Sequence, residues 1–114
     1  METLSRAWPL ANLRIIEAIA GHELWKRDFK GSASVFSVLF KENVSRESII
    51  RFIDELKLFK LGFSWGGVTS LVMRYEEIKR TTPVPAQRIV RFNVGLEATS
   101  DLIADLTSAW AVFR

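Results

Sequence analysis

A chain of 114 residues has room for one small domain and excludes two. Its 48% hydrophobic and 25% charged residues exclude disorder, and the absence of cysteine excludes disulfides, thiolate nucleophiles and the usual structural zinc sites. The formal charge of +3 comes from basic residues spread along the sequence, not from a strip of one sign, so no nucleic-acid partner is expected.

No apolar run approaches the roughly 18 residues of a membrane span, and the first residues lack the pattern of a signal peptide. The expectation is a cytoplasmic protein without a membrane partner. Four Trp and eight Phe are many rings for a core of this size, so some are expected to face a partner surface.

Residues 9–20 read as a helix: Pro9 suits a first turn, Leu10, Leu13, Ile16 and Ala20 recur at helical steps, and Gly21 is a stop. Residues 22–29 read as a short helix or turn. Residues 34–40, rich in Val and Phe, read as a buried strand. Ser45 is a natural N-cap for a helix whose apolar stripe is Ile49, Ile50, Ile53 and Leu56, with Glu47 in its first turn.

Residues 58–63 form a second strand, closed by the turn glycines Gly66 and Gly67. Residues 69–75 form a third strand. Residues 76–87, with charge, two threonines and two prolines, form a surface loop, and 88–94 form a fourth strand. Thr99 or Ser100 caps a last helix with Asp101 in its first turn and Leu102, Leu106 and Trp110 on one face, Ile103 beside them. The order predicts an α+β two-layer domain: a mostly antiparallel four-stranded sheet covered by helices, with antiparallel neighbours among the last three strands.

Three features could carry chemistry. Arg91 stands mid-strand between Val90 and Phe92. Its planar fork either grips a carboxylate through two parallel hydrogen bonds or sits solvated on the wet face of a sheet. Ser64-Trp65-Gly66-Gly67 offers a hydroxyl, an indole N–H and a backbone open to close approach, or else is a glycine turn with a buried ring. His22, the one histidine, has no cysteine partners or metal-ligand spacing, so a structural or exposed role competes with a general-base role and no metal site is expected. Lys26-Arg27-Asp28 is expected to make local ion pairs of little worth. The sequence holds no GxGxxG, Walker A, GxSxG or HExxH motif.

Three blocks occur in a telling order: Gly21-His22-Glu23-Leu24-Trp25-Lys26-Arg27-Asp28-Phe29, then Phe63-Ser64-Trp65-Gly66-Gly67, then Arg88-Ile89-Val90-Arg91-Phe92-Asn93-Val94-Gly95-Leu96-Glu97. Together they resemble the C-terminal domain of cystathionine β-lyases, in the Cys/Met metabolism family of pyridoxal-phosphate-dependent enzymes (fold-type I, aminotransferase-like). The resemblance covers roughly residues 21–110. The third block is similar to a family segment reading Ile-Arg-Leu-His-Ile-Gly-Leu-Glu, and Trp65 after Ser64 points to β-lyases over γ-synthases and γ-lyases.

The resemblance implies that residues 21–114 are the small domain of a lyase cleaving L-cystathionine to homocysteine, pyruvate and ammonia, and that residues 1–20 are an atypical helical segment. It implies that Arg91 binds the substrate α-carboxylate, with Ser64 and Trp65 helping to position it. Fixing that carboxylate orients the Cα–H bond for cleavage. Thr69 stands where relatives carry an acidic residue.

The Schiff-base lysine, the aspartate on the pyridine nitrogen and the phosphate loop belong to the family's large domain. Lys26, Lys30, Lys41, Lys57, Lys60 and Lys79 are not in the context of the catalytic lysine, so no catalytic or cofactor-binding residue is expected here. The cofactor implied is pyridoxal 5'-phosphate. The implied partners are a large cofactor-binding domain or chain, a sulfur amino-acid substrate, and other copies of the chain as a homo-oligomer. Two readings follow: a lyase fragment inactive alone, or a non-catalytic interaction or self-association module.

Overall fold

The computed structural model describes residues 13–14, 22–30 and 33–114. The elements are β1 (Leu13–Arg14), α1 (His22–Asp28), β2 (Val35–Phe40), α2 (Arg46–Glu55), β3 (Lys60–Leu61), β4 (Leu71–Arg74), β5 (Ile89–Asn93) and α3 (Thr99–Ala109). Short 3-10 turns occupy Ala86–Arg88 and Trp110–Phe113. The strand order is β1-β2-β5-β4-β3. This is the expected two-layer α+β architecture, with corrections.

Within the segment expected to be helical, Leu13 and Arg14 form a two-residue strand that pairs antiparallel with Phe40 and Leu39 and adds an edge strand to the four expected. The rest of residues 9–20 lies outside the described residues. The sheet is also mixed: β2, β5 and β4 run antiparallel, but β3 pairs parallel with β4, Lys60 opposite Leu71 and Leu61 opposite Val72. A hairpin was expected there. Parallel neighbours need a connection that carries the chain back to the starting end of the first strand. Residues 62–70 make that return, and they hold the Ser64-Trp65-Gly66-Gly67 block.

Side chains alternate across the sheet. Val38 and Phe40 of β2, Val72 of β4, and Val90 and Phe92 of β5 are buried with Ile49, Phe52, Ile53, Leu102, Leu106, Ala109 and Trp110 of the helical layer. Rings dominate this core. Phe40 stacks on Trp110, Phe52 meets Trp110 edge-on at 5.5 Å, and Phe59 meets Phe92 edge-on at 5.4 Å. Fully burying one such ring contributes roughly 1.5–3 kcal/mol.

Ser45 caps α2 as expected, its side chain accepting from the Ser48 N–H. The buried stripe of α2 is Ile49, Phe52 and Ile53, with Leu56 just past its end; Ile50 is only half-buried. The α3 cap differs from expectation. Ala98 occupies it, without a side-chain hydrogen bond, while Asp101 stands in the first turn as read.

Helix α3 also carries a buried carboxylate that periodicity alone does not flag. Asp105 accepts the backbone N–H groups of Lys57 and Leu58, each at 2.8 Å, and of Phe59 at 3.4 Å. These donors follow the end of α2, so one side chain ties the exit of α2 to α3 and aims the chain into β3. No helix among the described residues is long and apolar enough to cross a membrane.

Candidate functional site

The second and third sequence blocks meet on the sheet face opposite the core. Arg91, at the centre of β5, lies between Ser37 of β2 and Met73 of β4 and is half-buried. Its neighbours Val90 and Phe92 point into the core, so alternation aims Arg91 the other way. The guanidinium Nη2 donates to the Phe63 carbonyl oxygen and lies 3.7 Å from the Met73 sulfur.

Ser64 and Trp65 follow Phe63 in the return loop, and both are exposed, Trp65 at 64%. The expected alternative of a buried Trp65 does not hold. The structure therefore brings all three sequence-predicted residues to one place, with Arg91 joined to the loop through the carbonyl before Ser64. His22 begins α1, and its side chain lies outside the described residues. In α1, Lys26 lies 3.8 Å from Glu23, and Arg27 pairs with Asp28 at 2.7 Å, the local pairs expected of them.

Four residues that hold this loop were not singled out by sequence. Asn93, two positions beyond Arg91, is 1% exposed; its Oδ1 accepts the Gly66 N–H at 2.9 Å and its Nδ2 donates to the Thr69 carbonyl at 3.2 Å. Ser70, fully buried, donates its hydroxyl to Glu97 Oε2 at 2.7 Å and accepts the Gly95 N–H at 2.8 Å. Glu97 Oε1 accepts the Ser70 backbone N–H at 2.8 Å.

These hydrogen bonds favour the ionised form, so the backbone N–H and then the hydroxyl of Ser70 hold the Glu97 carboxyl below the usual glutamate range. At Gly95 a Cβ would stand 2.3 Å from the Val68 carbonyl oxygen, so the two segments approach too closely for any side chain. The available signal was asparagine inside a strand, a position it disfavours unless its amide has work there.

Lys26, Lys30, Lys57, Lys60 and Lys79 are exposed and Lys41 is half-buried. Two surface concavities, of about 450 and 350 Å³, are lined by residues of 76–88 and by residues of 43–48 with 112–114. Neither includes a lysine, Arg91, Ser64 or Trp65. Among the described residues no cluster of three metal-ligating side chains occurs. The arrangement is one wall with a cation on it. It can orient an anion.

This fold defines the class: the small α+β domain of pyridoxal-phosphate-dependent transferase-like enzymes. The chain belongs to the Cys/Met metabolism PLP-dependent enzyme family, whose sequence pattern matches residues 15–111. It is 38% identical over 97 residues to cystathionine beta-lyase MetC of Escherichia coli (strain K12), covering 80% of this chain and 25% of that protein. It is 36% identical over 94 residues to an L-alanine/L-glutamate racemase of Wolbachia pipientis wMel, covering 79% of this chain and 23% of that protein.

Among solved structures, that of metB from Corynebacterium glutamicum superposes with a TM-score of 0.70 at 25% identity, covering 99% of this chain and 31% of that one. The chain thus spans about a quarter of the length of the curated relatives it matches.

Proposed function

We propose that this domain supplies the carboxylate-binding wall of a carbon–sulfur lyase site, with Arg91 gripping the α-carboxylate of a sulfur amino acid and Ser64 and Trp65 flanking it. The observation that carries this reading is the meeting of Arg91 with the Ser64–Trp65 loop on the sheet face away from the core. A carboxylate arriving there would exchange with the Phe63 carbonyl on a guanidinium built for bidentate contact.

Pyridoxal phosphate supplies the electron sink for such eliminations. In this reading the lysine that holds it lies on a large cofactor-binding domain or chain that completes the site. The overall reaction is α,β-elimination of L-cystathionine, with one water consumed in hydrolysing the eliminated imine, to homocysteine, pyruvate and ammonia in the cytoplasm. A β-lyase and a racemase both act on amino acids, so a carboxylate grip serves either chemistry. The MetC likeness together with Trp65 after Ser64 favours elimination.

The test combines the purified chain with the large domain of a β-lyase relative and pyridoxal phosphate. Pyruvate release from L-cystathionine in the mixture alone, lost in Arg91→Ala, supports the reading. Racemisation of L-alanine without pyruvate would replace it. No turnover in any pairing would overturn it.

A second reading has its own observation. Leu61, Phe63, Val68 and Leu96 are each between 67% and 81% exposed, all near the same loop. A non-catalytic module would use this apolar strip for self-association. Sedimentation of the chain as a strict monomer at high concentration would remove that reading.

A further inference from the structure

We infer that Asn93 is a positioning residue: its amide anchors the return loop at Gly66 and Thr69 and so sets where Ser64 and Trp65 stand relative to the Arg91 guanidinium. The inference rests on the carboxylate role proposed for Arg91.

Asn93 ends β5 and is 1% exposed, so its amide must be satisfied within the protein. Oxygen faces an N–H and nitrogen faces a carbonyl, at 2.9 and 3.2 Å, which settles the orientation of the group. A neutral amide accepts and donates at once. Leucine does neither, and an ionised carboxylate only accepts.

Arg91 and Asn93 are two residues apart on one strand, so they share a face about 6–7 Å from one another. Arg91 holds the loop by the Phe63 carbonyl, and Asn93 holds it by the Gly66 N–H. Ser64 and Trp65 are the two residues strung between these anchors. At the second anchor the backbone turns through φ +74 at Gly66, a conformation that lets the chain reverse toward Thr69.

On either side of Thr69 the chain has separate ties, because Leu96 donates its N–H to the Val68 carbonyl and Glu97 holds Ser70. Losing the Asn93 amide therefore releases the Ser64–Trp65 stretch and leaves the 68–70 attachment in place. The core ring of Phe92 lies on the opposite face.

The experiment follows the full chain, labelled with 15N, by NMR, with L-cystathionine as the probe. In the wild type the Gly66 N–H is expected to exchange slowly with solvent and the Arg91 Nε–H resonance to shift on titration. Asn93→Leu fills a similar volume without either hydrogen bond. It is expected to lose Gly66 protection, shift the Trp65 indole resonance, leave the Trp110 indole unmoved, and weaken the Arg91 response by about tenfold or more.

Asn93→Asp decides the matter should Asn93→Leu not fold. Its neutral carboxyl restores one donor and one acceptor, and its ionised form cannot donate to Thr69. Arg91 lies two residues along β5 from the introduced carboxyl, and Glu97 is bound to Ser70, the residue after Thr69. The Trp65 indole resonance and the Arg91 response are expected near wild type in acid and to depart together as pH rises; a fall in the Arg91 response with an unmoved Trp65 indole would report only the new charge beside Arg91 and overturn the inference.

Unchanged Gly66 exchange and Arg91 response in Asn93→Leu, or a pH-independent wild-type response in Asn93→Asp, overturns the inference. A wild-type Arg91 resonance indifferent to L-cystathionine would sink the carboxylate reading alone. Gly66 exchange and the Trp65 indole would still decide whether Asn93 positions the loop.

Discussion

The Glu97 carboxylate holds Ser70 twice, one oxygen on its backbone N–H at 2.8 Å and the other on its hydroxyl at 2.7 Å. This joins the start of the last helical segment to the chain entering β4, and the loop between β3 and β4 inherits its path from that junction.

The pair makes stability depend on pH with a definite sign. A carboxyl held below its unfolded value contributes fully above that value, about 4.3, and the contribution is lost as pH falls through the lower folded value. Glu97→Gln is expected to cost about 1 kcal/mol at neutral pH. In urea unfolding at a series of pH values, its deficit relative to wild type should stay constant above about pH 5 and shrink below about pH 4. A deficit that does not change with pH would mean that the charge on Glu97 is irrelevant.

Gly95 and Gly67 should respond oppositely to alanine. A Cβ at Gly95 would meet the Val68 carbonyl oxygen at 2.3 Å and the Ser70 nitrogen at 2.7 Å, both backbone atoms that cannot swing away. Gly95→Ala is expected to lose about 2–3 kcal/mol or more. Gly67 has nothing within 4 Å of its Cβ position, so Gly67→Ala should stay within about 0.5 kcal/mol of wild type. Thermal unfolding of the two variants side by side checks the contrast.

Asp105→Ala strips the acceptor from three backbone N–H groups, of Lys57, Leu58 and Phe59. The expected loss is about 2–4 kcal/mol in denaturant unfolding, because the Leu58 and Phe59 donors have little access to water in exchange. Asp105→Asn, which keeps one acceptor oxygen, should lose less. Equal losses in the two variants would assign the effect to packing.

Arg91→Lys keeps the charge and removes the planar fork. Stability should change by no more than about 1 kcal/mol, while affinity for L-cystathionine, read from the Trp65 indole resonance on titration, falls by about tenfold or more. Equal binding by lysine would show that a point charge suffices there and that bidentate contact plays no part.

Much of the fold was legible from local signals. Ser45 as a cap, the Val- and Phe-rich run of β2, and the Leu102–Leu106 face of α3, continued by Trp110 in the turn that follows, all report on their own neighbourhoods, and each stands where its pattern puts it. Phe52 was missed because a stripe read through Ile49 and Ile50 is rotated by part of a turn from the one actually buried. The parallel pairing of β3 with β4 was missed because Gly66 and Gly67 signal that the chain turns, not how far it travels before pairing.

What the sequence by itself determined is the kind of each element from β2 onward and the parity of β5. Arg91 had to face away from Val90 and Phe92 because side chains alternate, and three motif blocks in order were enough to place the chain in its family. What only the tertiary structure decided is the company those residues keep. Asn93, Ser70, Gly95 and Glu97 look like ordinary polar or turn positions until the return loop is laid against them. Hydrogen bonds between residues more than twenty positions apart leave no period in a sequence, since their partners are set by where strands pair and not by spacing along the chain.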